Sequence, residues 1–104
     1  MSAIAVGMFV ITMYGVHCGV KPNHPTTAGT LPVVGFTIAA DPDVLPIGSI
    51  VEIEGFGERM VHDTGPMVNG QHLDVFVESC KAARDWGRKR REVKVTHWGG
   101  GARP

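Results

Sequence analysis

Three aspartates are the residues of this chain best able to do chemistry together. They are Asp41 in Ala39-Ala40-Asp41-Pro42, Asp63 in Val61-His62-Asp63-Thr64-Gly65, and Asp74 in Gln71-His72-Leu73-Asp74-Val75. Each stands at or just past the end of an apolar, strand-like run. A carboxylate in apolar surroundings is costly unless it is paired, hydrogen-bonded or working. A single Asp at a strand end reads as a turn cap. Three of them within 34 consecutive residues read as one shared cleft. Carboxyl groups held together repel one another, so one keeps its proton to higher pH and becomes available as a general acid.

Strands must bring these groups together, and the chain shows about six. Residues 3–14 read as a first strand, with Val6, Met8, Val10 and Ile11 suited to burial. This apolar start has no Lys or Arg before it, the first being Lys21, and it is too short for a membrane span, so it reads as neither signal peptide nor anchor. Residues 15–32 form a loop, broken by Gly15, Gly19, Pro22, Pro25, Gly29 and Pro32. A strand follows at about 33–40, and Asp41-Pro42-Asp43 turns the chain. Ser49 to Glu54 alternates, with Val51 and Ile53 on one face. Gly55-Phe56-Gly57 connects it to a return strand over 58–62. A loop opening at Thr64-Gly65-Pro66 closes at Asn69-Gly70, and His72 to Val77 is the next strand. Ser79 is an N-cap for a short helix through Trp86, with Ala82, Ala83 and Trp86 inward and Gly87 as its stop. A last strand runs over 92–97. The sum is an all-β, six-stranded barrel with one short helix, a single domain over residues 1–98 followed by a flexible tail, 99–104.

Composition narrows the function. The chain has 104 residues, with ten Lys plus Arg against ten Asp plus Glu, so no global field draws it to nucleic acid or an anionic membrane. Fourteen glycines and seven prolines with 43% hydrophobic residues describe a turn-rich, folded β protein. Cys18 and Cys80 are either one disulfide or two separate thiols. His17, Cys18, His24, His62, Asp63 and His72 are possible metal ligands, but none shows a tight ligand spacing. No metal and no cofactor is expected.

The ordered set of motifs resembles the 3D (three-aspartate) domain family. It comprises Ile38-Ala39-Ala40-Asp41-Pro42, Leu45-Pro46-Ile47-Gly48-Ser49 and Val51 to Gly57. It continues through His62-Asp63-Thr64-Gly65, Asn69 to Phe76, and Ala82 to Arg88. Thr12-Met13-Tyr14 and Thr26 to Thr30 are similar to weaker N-terminal elements of that family. The resemblance implies a double-psi β-barrel and a lytic transglycosylase acting on the MurNAc–GlcNAc bond of peptidoglycan, leaving a 1,6-anhydro end. It also implies that Asp74 is the catalytic acid, with Asp63 and Asp41 lining the same cleft.

The chemistry suits these residues. The sugar's own 6-hydroxyl attacks its anomeric carbon, so one carboxyl group can act first as acid and then as base. Tyr14, Thr26, Gly65 and Gly70 are candidate substrate contacts. The basic run Arg88 to Arg91 reads as a solvated face. The partner expected is a glycan strand met outside the cytoplasm or delivered by a phage, and the protein is expected to be a monomer. Two other readings stay open: a wall-binding barrel without catalysis, and a dimeric aspartic protease built on Asp63-Thr64-Gly65.

Overall fold

The computed structural model describes residues 5–15 and 24–100. Residues 3 and 4 of the expected first strand, His17, Cys18 and residues 101–104 of the expected tail lie outside the described residues.

Six strands close into a barrel. They are β1 (Ala5–Gly15), β2 (Thr37–Ala40), β3 (Ile50–Ile53), β4 (Gly57–Asp63), β5 (His72–Val77) and β6 (Lys89–His97), with the helix α1 (Cys80–Trp86) between the last two. Around the barrel the order is β1-β5-β2-β4-β3-β6. Two neighbouring pairs, β1 with β5 and β2 with β4, run parallel, and the rest are antiparallel. This is the double-psi barrel that the motifs imply.

Alternation along each strand builds the core. Phe9 and Ile11 of β1 point inward with Ile38, Val51, Ile53, Val61, Leu73, Val75, Val93 and Val95. Each aliphatic side chain buried here contributes about 1.5–3 kcal/mol. Closure leaves no strand edge open to pairing with another chain.

Three boundaries differ from the sequence reading. The strand expected from residue 33 begins at Thr37, because residues 33–37 form a tight turn. Thr37 donates its amide to the Val33 carbonyl (2.9 Å), and its buried hydroxyl accepts the Val33 amide (2.8 Å). The last strand begins at Lys89 rather than residue 92, because Lys89, Arg90 and Arg91 pair with Ile11, Val10 and Phe9. Lys89 to Arg91 of the basic run therefore lie in the barrel wall. At the other end Gly99 is buried, and its amide donates to Ser49 Oγ (3.0 Å), so it is pinned rather than part of a tail.

The helix matches its signals. Ser79 Oγ accepts the Ala82 amide at 3.0 Å, and Gly87 ends the helix at φ 75°. Trp86 donates its indole N–H to the Ile11 carbonyl (2.9 Å), which fastens the helix to β1. Cys80, the first helical residue, is disulfide-bonded. The approach of this helix requires glycine at position 15, where a Cβ would stand 2.9 Å from the Ser79 carbonyl carbon and oxygen.

Replacing Gly15 by Ala is expected to cost about 1–3 kcal/mol by overpacking, and Ser79→Ala about 1 kcal/mol by loss of the cap. Urea denaturation measures both, and an unchanged midpoint for Gly15→Ala would show that the helix yields without cost.

Candidate active site

The strand register assembles the site on the outer face of the barrel. Side chains that alternate with the core point outward: Val10, Thr12 and Tyr14 on β1, and His72 and Asp74 on β5. Thr12 pairs with Asp74, Asp74 with Ala39, and Ala39 with Asp63, so these four positions form one row across four strands. A register shift between Ile38 and Ala39 brings Asp63 into that row. Asp63 and Asp74 thus flank Ala39, with their Cα atoms roughly two strand spacings, or ~9.5 Å, apart. The residue between them is a buried alanine. Asp41 follows two residues beyond Ala39.

Asp74 is half-buried and held from one side. Thr12 Oγ1 donates to its Oδ1 at 2.9 Å, and His72 Nε2 lies 2.7 Å from the same hydroxyl. With the Thr12 proton given to Asp74, His72 donates to Thr12 through Nε2–H. Among the described residues no hydrogen bond engages Oδ2, which is left to meet a ligand. Burial pushes the Asp74 carboxyl above the usual carboxylate range and the charge of Asp63 adds to this, while the Thr12 hydrogen bond and His72 oppose it.

Asp63 is held more firmly. Its Oδ1 accepts from the Thr27 amide (3.1 Å), the Thr27 hydroxyl (3.0 Å) and the Thr64 amide (2.9 Å). Tyr14 completes the group. Its hydroxyl is buried without a hydrogen-bond partner among the described residues. Its titration is pushed up by burial and then by the charges of Asp63 and Asp74, so the phenol lies in the field of both. Its ring packs against Phe76 with centroids 5.3 Å apart. An unpaired buried hydroxyl costs about 1–3 kcal/mol, and a sugar hydroxyl would satisfy it.

Other residues singled out in the sequence have local duties. Asp41 Oδ2 accepts the Gly70 amide (2.8 Å) and its Oδ1 accepts the Asp43 amide (2.9 Å); these bonds hold its carboxyl below the usual range. Asp41 therefore clamps the turn before β5, and burial, not Asp41, is the leading cause of the Asp74 shift. The Gly70 amide is taken by that clamp. The Gly65 carbonyl accepts the Val68 amide (3.0 Å). Thr26 is buried and donates to the Thr30 carbonyl (2.9 Å), closing the turn that presents Thr27. His62 Nδ1 lies 2.9 Å from the Thr37 hydroxyl, a structural contact. Among the described residues no three His, Cys, Asp or Glu side chains converge to hold a metal ion.

Sequence reasoning missed Thr12, Thr27 and the link from His72 to Asp74. Thr12 shares a face with Tyr14 by period two, and that alternation was the available signal. Its partner on β5 is set by a parallel pairing between strands about sixty residues apart.

The family model of the 3D domain matches residues 36–98. Over 89 residues the chain is 50% identical to the cell wall-binding protein YocH of Bacillus subtilis, covering 86% of this chain and 27% of that protein. Among solved structures, the lytic transglycosylase MltA from Escherichia coli is similar, with a TM-score of 0.58 and 19% identity over 74% of this chain and 28% of that one. MltA with bound chitohexaose is similar to the same degree, with a TM-score of 0.58 and 18% identity over 69% of this chain and 27% of that one. At this identity the likeness to MltA is one of fold. The chain spans roughly a quarter of the length of the curated relatives it matches.

Thr12→Val removes a hydrogen bond that favours the Asp74 carboxylate, so Asp74 is expected to titrate at higher pH than in the native protein, with Thr12→Ser restoring it. Carbon NMR of the carboxyl groups reads this directly, and an unmoved Asp74 would mean that the bond is not held in solution.

Proposed function

This chain belongs to the 3D domain family, and we propose that it is a peptidoglycan lytic transglycosylase in which Asp74 is the general acid and then the general base. One observation carries the reading: a half-buried carboxyl, raised by burial, anchored through one oxygen to Thr12 and with the other oxygen unengaged.

The reaction needs one such group. Asp74 gives its proton to the oxygen leaving the MurNAc anomeric carbon, and the bond to GlcNAc breaks. The Asp74 carboxylate then takes the proton of the MurNAc 6-hydroxyl as that oxygen bonds to the same carbon, which closes the 1,6-anhydro ring. The proton count balances and no water is consumed. Asp63 lies two strands away with one oxygen fixed by three donors, positioned to stabilise positive charge developing on the sugar ring. Asp41 acts through the turn it clamps. Tyr14 offers its phenol to a sugar hydroxyl. All these groups come from one chain, so the activity is assigned to a monomer acting on the cell wall. Among the described residues no helix is long and apolar enough to cross a membrane.

A second reading has its own support. YocH, half of whose matched residues are identical here, is named for binding the cell wall. In that case the same cleft holds glycan without cutting it.

Mass spectrometry of purified peptidoglycan digests separates the two. Anhydro-muropeptides are expected from the native protein, falling about a thousandfold in rate for Asp74→Asn. Bound wall with no soluble product would select the binding reading. The acid form of Asp74 is lost as pH rises through its raised pKa, so the rate should fall on the alkaline side. Asp63→Asn removes a charge that raises Asp74, so that alkaline limb should move to lower pH. A limb that stays in place would deny Asp63 this influence.

A further inference from the structure

A second row of outward positions runs beside the Asp74 row. Val10 pairs with His72 on β5 and with Arg90 on β6, two residues before Thr12 and Asp74 on the same face. A cleft of about 230 Å³ opens there, lined by Val10, Arg88, Lys89 and Arg90. Two strand spacings across and two residues along place the Arg90 Cα roughly 12 Å from that of Asp74. The basic cleft thus lies across β1 from Asp74, with Val10 between His72 and Arg90 in the register.

The cations of this cleft are exposed, with the Lys89 ammonium resting over an aromatic ring. Among the described residues the ion pair formed is Lys81–Asp85, on the helix, so Arg88, Lys89 and Arg90 have no acidic partner there. The backbone of Lys89 and Arg90 is paired with Ile11 and Val10 of β1. Lys89 Nζ lies 4.3 Å and the Arg91 guanidinium 5.1 Å from the ring of Trp86, whose indole is bonded to β1. Since the chain carries no net charge, three unneutralised cations in one cleft form a local positive field. N-acetylated sugars are neutral and do not call for such a field. The peptides that branch from a peptidoglycan strand end in carboxylates, which guanidinium groups match in charge and in fork geometry.

We propose that Arg88, Lys89 and Arg90 form a carboxylate-binding subsite that receives the stem peptide of a strand whose scissile bond lies at Asp74. This rests on reading the Asp74 cleft as a glycan site. The protein would then select peptide-bearing strands over bare glycan.

The test measures binding with the Asp74→Asn protein, which does not consume its ligand. The two ligands are peptide-bearing glycan strands and the same strands with their carboxylates capped by methylamine. The uncapped strands should bind roughly fivefold tighter or more, with a gap that shrinks as salt is added. Adding Arg88→Gln and Arg90→Gln should close the gap, and Arg88→Lys with Arg90→Lys should keep it. A gap that survives the Gln pair, or that is absent from the Asp74→Asn protein, overturns the proposal. Equal binding of both strands, together with a Gln-sensitive affinity for a phosphodiester wall polymer, also overturns it and reassigns the cleft to phosphate. Cleavage is scored separately with the native protein. If anhydro products are absent while the carboxylate preference holds, the transglycosylase reading fails and the subsite stands.

Discussion

Strand β2 is paired along both edges, and the site depends on that constraint. Only four residues long and fully buried, it receives β5 on one side and β4 on the other. Ala39 consequently has Asp74 and Asp63 as its two lateral neighbours. The two carboxylates are eleven positions apart in sequence and two strand spacings apart in space. Any change that slipped β2 by one residue would turn Ile38 outward and remove Ala39 from between them, and the core would lose a fully buried side chain at the same step. Packing and site geometry are enforced by the same register.

Electrostatic roles then diverge among three residues of one type. Asp74 has a single hydroxyl donor and is half-buried, so burial prevails and its proton is retained to higher pH. Asp63 meets two amides and a hydroxyl on one oxygen. Asp41 is at the surface and holds two backbone amides, so hydrogen bonding prevails there and its carboxyl is held low. One carboxyl is raised by burial, one has an oxygen fixed by three donors and one holds a turn. The environment sets these differences, as the contrast between buried and hydrogen-bonded carboxyls leads one to expect. His72 and Thr12 form the outer layer of this arrangement, and they lie on the side of the barrel where the basic cleft begins.

Elements made by local interactions were legible in the chain. The helix from Ser79 to Gly87 follows from its cap, its stop and its inward Ala83 and Trp86. Strands β3 and β5 follow from strict alternation. The motif order led to the right family and barrel. Ends governed by non-local pairing were read less well. Nothing near Lys89 marks it as a strand residue until β1 lies beside it, and nothing near Gly99 reveals the Ser49 hydroxyl that holds it. Sequence alone points to Thr26 and passes over Thr27, because only the folded turn decides which hydroxyl faces Asp63.

What the sequence by itself determined is the set of reactive groups, the alternation that buries one face of each strand, and the turn chemistry between strands. Those depend on residue type and on neighbours within a few positions. Tertiary structure alone decided which groups meet. Parallel pairing of β1 with β5, across about sixty residues, sets Thr12 against Asp74. The shift beside Ala39 brings in Asp63, and the early start of β6 carries a basic run to the edge of the same face. Each of these is a choice of partner between distant segments, and its free energy comes from closing the barrel as a whole rather than from any local stretch of chain.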